Sequence, residues 1–569
     1  MGESDESAPR PEATRPDGDL IGLLGVAVCG LLPLVVLQNL YWGAWAPKAA
    51  LCLVLLFPGL VVLARLVAAR SPAAVAATAF LAAAAVSTAL SDRPAQSLVG
   101  PANWGTGWLL LAAAAAAWAV GVVAGDRRRR ELVVVLMAVT VVNAGVAWLQ
   151  ARTDVGRTRG LMGNAVFLGG LAAGGLFLLA RRLGRERGSW WWVPAIALVA
   201  GAVQLSGGRA ATVLAVVAVL ASLPGAGAAR SAVVVGAVIL GVAVAPVGAK
   251  GVVLGSTRSA PSAVATAASG DTRVALWRIS AGAVAERPVV GYGPGRFAAA
   301  TGRRYTPAAA QEHVVLRDAH NWVVGTAVTT GLLGLGLLLA WLTLAARGAR
   351  GPLAGFAVIV AVSSLVQPLH VALTPMAMLA LGAAGGDAVR RRARPLPVPV
   401  LRGAWGVAGL AGLAVGIAGA VVLVTGQAVL QRGVAGDSQA QVRLARTLSP
   451  PWPDLLLKAA SVEATYGIRE GEPHKQRTLE LTRRAALLDP TDPILWSELG
   501  FVEAQWGTTD RAAAAFRRGL EANPWDVSSL EGSADLARAR GDVALLREDC
   551  RRLRILKVPV QACGARPSG

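Results

Sequence analysis

His320 stands in Asp318-Ala-His320-Asn321, where a polar loop meets a long apolar stretch, and it is one of only four histidines, with His313, His370 and His474. Histidine titrates close to neutrality, so it can take a proton from a hydroxyl group at pH 7. Arginines nearby would lower its pKa and keep the imidazole neutral. A helix starting here, capped by Asn321 or Asp318, would add free N–H groups and a partial positive charge that suit a phosphate. A histidine that only hydrogen-bonds at an interface fits the same spacing, and the residues alone do not separate the two readings.

Five arginines form the second candidate set: Arg157 and Arg159 in Gly156-Arg-Thr-Arg-Gly160, Arg209 in Ser206-Gly-Gly-Arg209, and Arg273 and Arg278 in Asp271-Thr-Arg-Val-Ala-Leu-Trp-Arg278. A guanidinium fork grips phosphate oxygens in bidentate fashion. A departing diphosphate needs that kind of charge neutralisation. Snorkelling to lipid headgroups is the competing explanation for any one of them. It is weakest for Arg209, which sits on a loop of a few residues between two apolar blocks.

Other chemistries find little support. Gly291-x-Gly293-x-Gly295 lacks the strand, helix and lysine of a nucleotide loop and reads as a tight turn that lets backbone approach a neighbour. Around His320 the acids are Asp271, Glu286, Glu312 and Asp318, unpaired, and no cysteine or histidine pair has metal-ligand spacing. No metal and no cofactor is expected.

The elements that must position these side chains are membrane spans. Of 569 residues 54% are hydrophobic, and the mean hydropathy is +0.53. The apolar residues come in blocks of roughly 17–22, the length that crosses a bilayer core. The expected class is an all-α polytopic membrane protein of about 12–13 spans. Thirteen blocks lie near 20–40, 47–64, 73–90, 106–124, 132–150, 164–180, 190–205, 209–224, 232–248, 321–345, 353–371, 374–388 and 403–425. Residues 1–19 are polar and Pro-rich, read as a disordered cytoplasmic segment rather than a signal peptide. The net charge of +21 does not point to nucleic acid, because most arginines sit in short clusters between the blocks.

With the N-terminus inside, alternate loops carry eighteen arginines on the cytoplasmic side against six basic residues in the short outer loops. That asymmetry predicts an outer loop 249–320 and an outer tail. Within the loop, Gly255–Gly270 reads as flexible. Asp271–Glu286 is expected to be an amphipathic helix on the membrane surface, ended by Pro288. The tail, 426–569, is soluble in character. Trp496, Leu499, Gly500, Ala512, Phe516 and Pro524 have the spacing of a 34-residue tetratricopeptide unit, and 455–490 and 525–555 are degenerate neighbours. Cys550 and Cys563 can pair if the tail is extracytoplasmic, while Cys29 and Cys52 read as small core residues.

Taken together, Arg159-Gly-x-x-Gly163-Asn164, Ser206-Gly-Gly-Arg209, Arg273-x-x-x-Trp277, Arg287-Pro-Val-Val-Gly291-Tyr-Gly-Pro-Gly-Arg-Phe297, His320-Asn321 and Gly331-Leu-Leu-Gly-Leu335 follow one another in order. In this the chain resembles the O-antigen ligase/polymerase family of integral-membrane glycosyltransferases. The resemblance is strongest over about 201–386, within a transmembrane domain 20–425. It implies a GT-C-like, metal-independent transferase fed by a polyprenyl-diphosphate-linked glycan on the outer leaflet of the plasma membrane. It also implies His320 as general base, Arg209 and Arg273 on the diphosphate, and Arg278, Arg157 and Arg159 in second rank. A glycan, lipid or protein acceptor would supply the hydroxyl, and the tail could hold that acceptor or a protein partner.

Chain polymerase and protein O-oligosaccharyltransferase need the same donor handling, so they stay open beside ligase. A flippase or exporter of lipid-linked glycan is the alternative of another class. It predicts polar residues along a central cavity, whereas here the spans are nearly free of charge. A membrane anchor for the repeats is a third reading. Sugar, acceptor, stereochemistry and oligomeric state are not legible.

Overall fold

A computed structural model describes residues 16–101, 105–153, 157–186, 190–245, 269–310, 317–393, 400–450, 452–558 and 563. Among these residues every regular element is helical. The readings of a disordered N-terminus and of a flexible Gly255–Gly270 fall largely outside the described residues, as do His313 and Glu312.

The first group of helices is α1 (Pro16–Leu31), α2 (Ala46–Ala68), α3 (Pro72–Ala89), the short α4 (Pro94–Val99), α5 (Trp108–Val123), α6 (Asp126–Thr153), α7 (Ala165–Arg185), α8 (Val193–Leu205), α9 (Arg209–Ser222) and α10 (Ala228–Val244). Next come α11 (Ser269–Glu286), the short α12 (Phe297–Thr301) and α13 (Pro307–Ala310), then α14 (Trp322–Ala346), α15 (Pro352–Ser363), α16 (Leu373–Arg391) and α17 (Val400–Ala435). The tail adds α18 (Gln439–Thr447), α19 (Pro453–Glu470), α20 (His474–Leu488), α21 (Pro493–Trp506), α22 (Thr509–Ala522), α23 (Val527–Arg540) and α24 (Val543–Ile555).

A helix stands at each of the thirteen apolar blocks. Six are long and apolar enough to cross a membrane: Ala46–Ala68, Pro72–Ala89, Asp126–Thr153, Ala165–Arg185, Trp322–Ala346 and Trp405–Ala435. Two are shorter than their blocks. α1 stops at Leu31 because Pro33 cannot continue a helix, and α15 stops at Ser363, ahead of a turn and Pro368. The Ala-rich α5 is enclosed between α2 and α16. Small residues on such faces let helix backbones approach closely where lipid offers no hydrophobic drive to pack. α17, by contrast, lies along α2 and exposes Val407, Leu410, Val415 and Val421, the pattern of a lipid-facing edge helix.

α14 is broken at Gly331, whose φ of 70° lies outside helical space. The break frees backbone groups, and the Arg287–Gly293 segment takes them up. Tyr292 N–H donates to the Val328 carbonyl (3.1 Å), Gly293 N–H to Thr329 (2.8 Å), and Leu332 N–H to Pro288 (2.7 Å). Side chains would not fit between the two strands of backbone. A Cβ on Gly331 would lie 2.1 Å from the Val289 oxygen, and one on Gly291 would lie 2.6 Å from Thr329. The glycine motif is thus a backbone splice into a kinked helix, in line with its reading as a close-approach turn.

α11 does form and ends before Pro288, but not as a helix lying on the membrane. Its apolar residues Ala275, Leu276, Ile279 and Ala283 share one buried cluster with Phe297 and Val328, and with Leu530, Ala534 and Leu553 of the tail. Protein rather than lipid covers that face.

The tail consists of α18 and three helical hairpins, α19–α20, α21–α22 and α23–α24, and α17 runs ten residues past position 425 before it. Phe516 is buried over Gly500 and Gly532, where any added Cβ would lie within 2.4 Å of the ring. Cys550 and Cys563 form a disulfide; Cys29 and Cys52 are free and buried. The tail docks on the loops between spans. The Trp452 indole donates to the Gly100 carbonyl (2.9 Å) and Arg93 to that of Leu487 (2.8 Å).

Candidate active site

His320 is set by the start of α14. Asn321 is the N-cap, its side-chain oxygen accepting from the N–H groups of Val323 (2.9 Å) and Val324 (3.2 Å). Asp318 does a different job: its Oδ1 accepts the His320 N–H (2.6 Å). His320 itself has a φ of 51°, an uncommon left-handed conformation for a residue with a side chain, found more often at functional sites than elsewhere.

The imidazole is assigned by its neighbour. Nδ1 lies 3.3 Å from the Asp318 carbonyl oxygen, which can only accept, so Nδ1 carries the hydrogen and Nε2 holds the free lone pair. Among the described residues Nε2 has no hydrogen-bond partner. Burial, and then the charge of Arg273, push the His320 pKa below its ordinary value. The ring is therefore neutral at pH 7 and open at the nitrogen that can take a proton.

The other described histidines are occupied. His370 Nδ1 accepts from the Ala372 and Leu373 N–H groups at the start of α16. His474 is paired with Glu463 (2.9 Å) and Glu470 (3.2 Å).

Arg273 is the hub of the basic groups. It couples electrostatically to His320 and to Arg157, whose pKa is lowered first by burial and then by Arg273. Two anchors hold this meeting. Trp277, one helical turn beyond Arg273, donates its indole N–H to the Ala319 carbonyl (3.0 Å), fixing α11 beside His320. Arg157 Nε donates to the Ser206 carbonyl (2.7 Å), fixing the 157–160 loop to the Ser206-Gly-Gly turn. Arg157 is exposed and Arg273 half-buried, so both guanidinium groups remain accessible to an anion.

Arg209 opens α9 immediately after that turn; its side chain is exposed and makes no hydrogen bond among the described residues. Arg159 is exposed as well, its backbone N–H bonded to Gln150 (3.1 Å). Arg278 is not brought to the group: five residues after Arg273, it lies on another face of α11 and is exposed.

Two groups that residue types alone did not single out line the same region. The Asp318 carboxyl is enclosed beside a cavity of about 40 Å³, lined also by Pro294, Gly295, Arg317, Trp322 and Thr326, and burial raises its pKa to about 6. That volume admits a few waters and no sugar ring, so a glycan must meet His320 from the open side. Arg296, the arginine of the glycine motif, is 3% exposed and bonds Asp92 (2.8 and 3.1 Å), Gln96 (2.6 Å), Asp489 (2.7 and 3.2 Å) and Thr491 (3.0 Å). Burial alone would lower its pKa, but Asp489 and Asp92 reverse this and keep it charged. Its neighbour in the fold, Arg317, pairs with Asp492 (3.3 Å), the N-cap of α21. No local signal marks these partners, which lie far away in the chain.

Residues 194–339 match the family model described as O-antigen ligase. The match spans Arg209, Arg273, Gly291–Phe297 and His320, so the chain carries an O-antigen ligase domain where the resemblance lay. No curated protein matches. Among solved structures, the APC/C hetero-tetramer Cut9-Hcn1 aligns at 12% identity over 80% of this chain and 75% of that one, with a TM-score of 0.21; at that score the likeness carries no argument. An O-antigen ligase domain within apolar, membrane-length helices defines a multi-pass membrane protein acting in glycosyl transfer for polysaccharide assembly.

Proposed function

We propose that the chain transfers a glycan from a polyprenyl-diphosphate carrier to an acceptor hydroxyl at the outer face of the plasma membrane, with no metal in the transfer step. The observation that carries this reading is the Trp277–Ala319 hydrogen bond (3.0 Å), which holds the helix that bears Arg273 beside His320 and its free Nε2. His320 Nε2 takes the acceptor's proton as the hydroxyl oxygen bonds to the anomeric carbon. The bond from that carbon to the diphosphate oxygen breaks, and the electron pair leaves with the lipid diphosphate. Arg273 and Arg157 neutralise the charge that develops there, and Arg209 reaches the same anion from the start of α9. His320 then returns the proton to solvent. A positioned base is worth roughly 10²–10⁴ in rate.

The outer placement of site and tail is supported by the arginine asymmetry and by the docking of the tail on the loop that holds Arg296 and Arg317. The test is transfer from a purified polyprenyl-diphosphate glycan. H320A and R273A should insert normally, H320A losing transfer and R273A keeping only a measurable residue of it, while R278A keeps most. Full activity in H320A removes the base.

A further inference from the structure

The tail holds an open cavity of about 680 Å³ between α18, α19, α20 and the start of α22. Its walls carry four arginines, Arg443, Arg477, Arg483 and Arg511, against two glutamates, Glu463 and Glu480. Those glutamates are already engaged: Glu463 with His474 and Gln439 (both 2.9 Å), and Glu480 with Arg477 (2.7 Å) and Arg484 (3.9 Å). Arg483 bonds the buried Glu503 (2.5 Å). Among the described residues Arg443 and Arg511 have no carboxylate within ion-pair distance and both are exposed, Arg443 donating only to the Gln439 side-chain oxygen (3.1 Å). Arg446, on the same helix as Arg443, has its pKa lowered by burial and by the charges of Arg484 and Arg477.

We infer that this cavity is a binding site for a carboxylate-bearing stretch of a glycan chain. The excess of guanidinium calls for anions. The size lies within the range of ligand sites. Two features favour sugar over an acidic peptide. The lining is polar, with the Gln476 amide beside the arginines, Gln439 already bonded to Glu463 and Arg443, and only Leu479 and Pro473 as apolar groups, so it offers hydroxyl partners but no pockets for peptide side chains. His474 also lines it, its ring backed by Tyr466 with centroids 5.3 Å apart, so the wall includes an aromatic ring that a sugar can contact. This rests on the glycan-transfer reading and deepens it: the tail would hold the acidic chain while its end, or that of its partner, reaches His320.

The test uses the full chain in lipid nanodiscs and measures binding of oligogalacturonate, neutral dextran of equal length, and polyglutamate. Oligogalacturonate should bind, and R443E/R511E should weaken it about tenfold or more, the loss expected for a charge-assisted contact. R443Q/R511Q, which shortens the side chain and replaces the charged fork with a neutral amide instead of an opposite charge, should weaken it in the same direction. Dextran should not bind. Binding by both variants equal to that of the parent, preference for polyglutamate, or no binding of oligogalacturonate overturns the inference. The H320A chain should bind oligogalacturonate like the parent while failing to transfer. An active transferase whose variants bind unchanged therefore retires the cavity alone, and a binding-competent chain with an active H320A retires the transfer chemistry alone.

Discussion

Arg296 and Asp489, from the glycine motif and from the tail, face each other through two hydrogen bonds of 2.7 and 3.2 Å, with side chains 3% and 4% exposed. One residue before Arg296, Gly295 lines the cavity beside Asp318. The joint that seats the tail is therefore continuous with the wall of the candidate active site.

Breaking that joint should be costly. D489A leaves a buried guanidinium with Asp92 as its one carboxylate, and losing one partner of a buried pair costs about 3–5 kcal/mol. The thermal midpoint in detergent should fall, and the tail should become sensitive to protease. R296K should not rescue, because an ammonium cannot grip two carboxylates in forked geometry. An unchanged midpoint in D489A would mean that the apolar cluster of Leu276, Leu530 and Leu553 seats the tail without help.

The splice at α14 makes a sharper contrast. G331A places a Cβ 2.1 Å from the Val289 oxygen, at a φ of 70° that disfavours any side chain. It should lower stability by about 1–3 kcal/mol and displace the Arg287–Gly293 segment. Gly336, five residues on, has nothing within 4 Å of an added Cβ. G336A should be neutral, or stabilising by about 0.5–1 kcal/mol through helix propensity. Comparing the two by thermal unfolding separates strain from a general intolerance of the helix.

How much of this was legible depends on the range of the interaction. Each apolar block announces a helix because hydropathy is a local property, and Asn321 announces a helix start for the same reason. Even so, Pro33 and the turn after Ser363 shorten two helices that hydropathy alone would run on. Arg273 and Arg278 look alike in sequence; the indole of Trp277 on Ala319 decides which of them meets His320. The surface-helix reading of α11 failed because an apolar stripe does not say whether lipid or the protein's own helices cover it. Arg296 was conspicuous in its motif, yet its partners Asp92 and Asp489 lie about 200 residues away on either side, and no local pattern encodes them.

Arg296–Asp489 and Arg317–Asp492 also tie the sidedness of the tail to that of the His320 loop. E498C in α21 and R303C after α12 occupy exposed positions on these two parts. Both should react with a membrane-impermeant maleimide added outside intact cells. R391C, exposed at the other end of α16, should react only after the membrane is opened. Opposite labelling of E498C and R303C is incompatible with the docked tail, and labelling of R391C from outside reverses the orientation read from the arginines.

The pH dependence of transfer tests which group is the base. A base works unprotonated, and burial together with Arg273 lowers the His320 pKa. The rate at saturating donor should therefore rise with pH and level off with a midpoint below about 6.5, the ordinary histidine value. Removing the cation in R273A lets the pKa climb back, so the acid limb of the residual activity should move to higher pH. Asp318 titrates in the same window, its carboxyl raised to about 6 by burial. D318N keeps an oxygen for the His320 N–H and removes that titration. If the limb persists in D318N and shifts in R273A, it belongs to the imidazole. If it vanishes in D318N, the carboxyl carries it, and His320 is not the group that takes the acceptor's proton.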